Sequence, residues 1–153
     1  MSEVQRIADQ LHRAYSGEAW HGPAIAELLE GVTVSQAAAQ PLPGGHSIWE
    51  LVLHIAAWKR AVRRRLEGKA TEVAPEDNFP NVRDRSDAAW QQAQQKLADA
   101  HRELEKAVTA LAESRLAETV PGRDYSVYFM LHGLVQHDLY HAGQIALLKR
   151  ASG

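Results

Sequence analysis

Three histidines on two helical stretches are the residues of this chain best placed to do chemistry. His137 and His141 stand four apart in Leu134-Val-Gln-His137-Asp-Leu-Tyr-His141. On a helix that spacing sets their Cβ atoms about 5–6 Å apart on one face, close enough for two imidazoles to share a metal ion. Both fall on the stripe Leu134, His137, His141, Ile145 and Leu148, where a core-facing helix would carry hydrocarbon. His54 occupies the same kind of place in Leu51, His54, Trp58 and Ala61. One buried histidine, or one His-x-x-x-His, is adequately explained as a hydrogen-bonded core residue. Three converging from two helices would each cost about 1–3 kcal/mol if left without partners, and a divalent cation removes that cost at once.

The ligand set also bears on the chemistry. Three neutral nitrogens without carboxylate or thiolate describe an open site, because catalytic zinc commonly keeps three protein ligands and a free position whereas structural zinc is closed by four. Imidazole ligation suits zinc, nickel, copper or iron and argues against calcium and magnesium; zinc or nickel is expected first, with iron or manganese behind them. Ligating imidazoles need acceptors for their second nitrogens. Glu50, one turn before His54, and Gln144, three residues after His141, are the candidates, although a capping interaction competes for Glu50. Trp58 is a pocket candidate, Asp138 a weak candidate for a general base, and Tyr140 faces roughly 100° away from His141. His46 reads as a loop residue at a pocket mouth, and His101 as either a fourth ligand or a helix-surface histidine. His132 lies off the stripe, while His12 and His21 have no readable context.

These residues need long helices to hold them, and the chain supplies four. The first is expected over about Glu3–Tyr15, with shorter helical pieces at Ala24–Leu29 and after a capping box at Thr33 and Gln36. Ser47-Ile-Trp-Glu50 is a capping box that starts the second long helix, and Gly68 closes it. The polar stretch 69–85, with Pro75 and Pro80, is long for a loop. The third helix is expected over Ser86–Ala112 and the fourth over Ser126–Arg150, separated by Pro121-Gly122. One-sided apolar helices of this length can bury their stripes only against one another, which predicts an all-α four-helix bundle formed by residues 1–153 as a single domain. The long second joint leaves room for a crossover connection.

Bulk properties narrow the function classes. The chain has 153 residues, net charge −2, eight histidines and no cysteine, so disulfides, thiolate ligands and a cysteine nucleophile are excluded. No apolar run reaches the roughly 20 residues that cross a bilayer, and the polar first residues lack a signal-peptide core, which predicts a cytoplasmic protein with no membrane partner. Lys59, Arg60, Arg63, Arg64 and Arg65 form a basic cluster, expected to be a solvated face near a helix C-terminus. With no interleaved aromatics and a negative net charge, no nucleic-acid partner is expected.

Two segments resemble a known family. Gly44-Gly-His-Ser-Ile-Trp-Glu-Leu-Val-Leu-His54-Ile-Ala-Ala-Trp58 and Gly133-Leu-Val-Gln-His137-Asp-Leu-Tyr-His141-Ala-Gly-Gln-Ile-Ala-Leu-Leu148 are similar to the signature segments of the DinB/YfiT-like superfamily. The resemblance implies a four-helix bundle with a crossover, a divalent metal on His54, His137 and His141, and a homodimer. It also implies a small-molecule substrate and an S-transferase activity that uses an external low-molecular-weight thiol, in keeping with the absence of cysteine. Two alternatives stand beside it: a hydrolase activating water on the metal, and a non-catalytic metal-binding protein. The pattern His137-Asp-Leu-Tyr-His141 resembles the zinc-protease H-E-x-x-H. Asp138 is a methylene shorter than that base, however, and no His, Asp or Glu follows His141.

Overall fold

The computed structural model describes residues 1–153 and contains no strand. Its helices are α1 (Glu3–Tyr15), α2 (Ile25–Leu29), α3 (Val34–Ala38), α4 (Ile48–Leu66), α5 (Pro75–Asn78), α6 (Asp87–Thr109) and α7 (Val127–Ala151). Local chemistry sets most of the boundaries. Ser2, Thr33, Ser47, Ser86 and Ser126 each accept a hydrogen bond from a backbone N–H of the first turn they precede. At Ser47 the backbone N–H donates in return to the Glu50 carboxylate at 2.7 Å, completing the expected box. Gly68, just past the end of α4, takes φ +85°, the left-handed conformation that stops a helix.

Two differences from the sequence expectation concern the joints. The stretch 69–85 is not structureless, because Pro75 opens the short helix α5. The third long helix ends at Thr109, not Ala112, and a 3-10 turn at Glu113–Ala117 follows it.

The apolar core forms two clusters, and membership in them gives the helix directions. One cluster holds Leu51, Val52 and Ile55 of α4, Trp90, Ala93 and Leu97 of α6, and Ala142, Ile145 and Leu148 of α7. The other holds Val4, Ile7 and Leu11 of α1, Val62 and Leu66 of α4, Leu104 and Val108 of α6, and Val127, Leu131 and Leu134 of α7. The helices α4 and α6 therefore run the same way, from the first cluster to the second, while α7 runs against them. Parallel neighbours cannot be joined by a short turn, so residues 67–86 cross back over the bundle and bring α5 with them.

Between the clusters lies a polar layer. Lys59 of α4, His101 of α6 and Asp138 of α7 are all buried there. Lys59 Nζ and Asp138 Oδ2 are 2.5 Å apart with both side chains fully enclosed. The expected solvated basic face is corrected here: Lys59 is a core cation, and Arg65 is buried as well. Arg65 donates to the Thr71 carbonyl at 2.9 and 2.8 Å and lies over the Trp58 ring, pinning the start of the crossover to α4.

Candidate metal centre

The helices α4 and α7 pack antiparallel, and this brings residues 83 positions apart into hydrogen-bonding distance. His54 Nε2 lies 3.0 Å from His137 Nε2, and His141 Nε2 lies 3.1 Å from the same atom. His54 and His141 are buried and His137 is half-buried. No carboxylate joins this group.

The outer nitrogens decide which atoms carry protons. His54 Nδ1 is 2.7 Å from the Asn78 carbonyl oxygen, which can only accept, so Nδ1 holds the hydrogen and Nε2 presents a lone pair. His141 Nδ1 is 2.5 Å from Gln144 Oε1, with the same consequence. His137 Nδ1 is buried without a partner. A single proton on His137 Nε2 satisfies one of the two facing lone pairs and leaves the other against it. Removal from water keeps all three rings below the ordinary histidine range. His137 is the extreme case, at about 3, with its two histidine neighbours adding to the burial. Three neutral imidazoles thus converge their Nε2 atoms, an arrangement that a cation would satisfy.

A metal ion fits this donor set. Nitrogens about 2.0–2.1 Å from one ion stand about 2.9–3.4 Å apart for angles between octahedral and tetrahedral values, which spans the separations observed. Gln144 is the expected acceptor for His141. The expected role of Glu50 is corrected: its carboxylate serves Ser47 and accepts from Gln40 at 3.2 Å, and the backbone of Asn78 takes its place beside His54.

The crossover supplies the roof. Phe79, at the end of α5, stacks on His54 at 4.1 Å and on His46 at 3.6 Å, so its ring stands between the two imidazoles. Trp58 Nε1–H donates to Asn78 Oδ1 at 2.9 Å, which ties the same segment to α4. Neither Asn78 nor Phe79 was readable from the sequence. The only available signal was the unusual length of the stretch that carries them. A cleft of about 230 Å³ opens beside His137, lined mainly by Trp58, Val62, Tyr125, Phe129, Met130 and Gly133. Its wall is almost entirely apolar.

The remaining expectations sort cleanly. Asp138 is corrected as a candidate base: it points away into the polar layer, where Lys59 holds it, and burial pushes its carboxyl up. Tyr140 is exposed and only borders His141 edge-on at 5.1 Å. His132 contacts Glu3 at 3.3 Å. His101 lies outside the centre, stacked on Tyr15, so the three-histidine set gains no fourth ligand from it.

Residues 17–145 match the family model of the DinB superfamily. The chain belongs to that superfamily. Comparison with curated proteins and with solved structures returned no match. The matched span contains the three histidines, α5 and the cleft wall, so the family assignment and the centre rest on the same residues.

Proposed function

We propose that this DinB-superfamily protein is a divalent-metal-dependent S-transferase, with a low-molecular-weight thiol activated on His54, His137 and His141. The observation that carries the reading is the convergence of three imidazole Nε2 atoms beside an apolar cleft. Zinc or nickel suits the donor set best, with iron or manganese after them. Bound there, the metal supplies Lewis-acid chemistry that favours the thiolate form of a thiol.

The chain's own residues do the rest. Asn78 and Gln144 fix the tautomers of His54 and His141, so that both rings present lone pairs without a proton having to leave. Trp58, Phe129 and Met130 line the flank of His137 and offer a surface for an apolar electrophilic small molecule. The absence of cysteine means the sulfur must come from outside. A hydrolase that relied on a carboxylate base would not find it in Asp138, the carboxylate nearest in sequence, which Lys59 holds. We place the protein in the cytoplasm as a homodimer, a state that sedimentation measurements test directly.

The deciding experiment pairs elemental analysis with thiol-conjugation assays on metal-replete wild type and His137→Ala. Wild type should hold a stoichiometric transition metal and conjugate an apolar electrophile to at least one of several low-molecular-weight thiols. In the variant conjugation should vanish and bound metal should fall by one equivalent, and chelator should abolish both properties. Equal metal in the two proteins would overturn the centre. Full metal without chelator-sensitive conjugation would overturn the transferase assignment alone.

A further inference from the structure

On the opposite side of the polar layer, α1 and α6 bring together a second group of metal-ligating atoms. His12 Nδ1 lies 3.1 Å from Glu105 Oε1, and His101 Nε2 lies 3.9 Å from Glu105 Oε2. All three ligand atoms fall within 4.8 Å of one another, and none belongs to the centre on α4 and α7.

The decisive member is His101. It is only 4% exposed, yet neither of its ring nitrogens has a hydrogen-bond partner. Tyr15 stacks on it at 4.0 Å with the planes 23° apart, which fixes the ring plane. Burial, with the Lys59 ammonium and His12 nearby, holds its pKa down to about 3, so the ring is neutral and one nitrogen carries an unused lone pair. Glu105 follows four residues later on the same helix face and is half-buried. His12 reaches across from α1. Its ring packs over Gly17, where a Cβ would come within 2.9 Å of His12 Cδ2, so the absence of a side chain there leaves the ring its place.

From this geometry we infer that His12, His101 and Glu105 form a second site for a divalent transition metal, one that fastens α1 to α6. Two imidazoles and a carboxylate are a zinc-type donor set that leaves one position for water. The carboxylate oxygens and nitrogens need only close by small side-chain rotations to reach ligand spacing. Because His12 is half-exposed, the ion enters from solvent without opening the bundle.

Zinc titration of chelator-stripped protein, read by calorimetry and by thermal melting, tests the site. Wild type should bind two equivalents and His137→Ala should keep one, which raises its melting temperature. His137→Ala with either His12→Ala or Glu105→Gln should weaken that remaining equivalent by at least the roughly tenfold that loss of even an outer-shell partner costs. The inference fails if His137→Ala binds zinc no more tightly than the same variant carrying both additional substitutions. Should His137→Ala not fold, His12→Ala and Glu105→Gln in the wild-type background must each remove one of two equivalents; two undiminished equivalents would equally overturn the site. A wild type that binds one equivalent, lost on His12→Ala, would support this site and count against the three-histidine centre.

Discussion

At the residue scale, two of the three histidines are oriented by what stands behind them, His54 by the Asn78 carbonyl and His141 by Gln144. Gln144 Oε1 is the only acceptor for His141 Nδ1 in the structure, so Gln144→Leu should release that ring's orientation and tautomer. We expect metal affinity to fall by about 10–100-fold, measured by competition with a chromophoric chelator, with little change in folding. Asp138 is the counter-case. It adjoins a ligand in sequence but belongs to the buried pair with Lys59. Removing one partner strands the other, so Asp138→Ala should cost about 3–5 kcal/mol in chemical denaturation. The double change Lys59→Met/Asp138→Leu should recover most of it, with metal binding retained. The three histidines were legible because a polar residue on an apolar stripe is conspicuous. Lys59 was not: it sits in a run of basic residues, and a run of cations reads as surface. Only the fold reveals that the helix turns one of them toward Asp138.

At the scale of elements, the short helix α5 is the part with the least sequence signal and the greatest effect on the site. Four residues long and without a side-chain cap, it owes its position to Trp58 and to Phe79 inserted between two imidazoles. The long helices announced themselves through caps and stripes, and their ends were legible to within a few residues. A four-residue helix has no stripe to display. On α7, Gly133 lines the cleft where an added Cβ would meet nothing within 4 Å. Gly133→Leu should therefore fill the cleft without straining the helix. The expected result is full metal loading with conjugation lost first for the bulkiest electrophiles, read as a rise in KM across a series of acceptor sizes.

At the scale of the whole molecule, the polar layer divides the hydrocarbon core and makes stability depend on pH. His101 is held at about 3, against an ordinary value of 6.5. The unfolded chain therefore takes up this proton first as pH falls. Sign and window follow: the stability that neutral, buried His101 permits is intact above 6.5 and declines steadily toward 3. In chelator-treated protein, His101→Phe should flatten that limb, so the gap in unfolding free energy between variant and wild type grows in the variant's favour as the solution is acidified. Parallel acid limbs for the two proteins would contradict the assignment. The bundle and its crossover were legible from helix lengths and the long joint. The division of its core was not, because Lys59, His101 and Asp138 lie on three helices and meet only in three dimensions.

The antiparallel meeting of α4 and α7 also orders events in the life of a nascent chain. A chain that has emerged only as far as α6 holds His54 but neither His137 nor His141, and it lacks Phe129, Met130 and Gly133 of the cleft wall. One imidazole captures metal poorly, so the three-histidine centre has no foothold during most of translation. His12, His101 and Glu105, by contrast, are all present once α6 has been made. The donors on α1 and α6 are thus complete in the chain before α7 is made, whereas those beside the cleft are not.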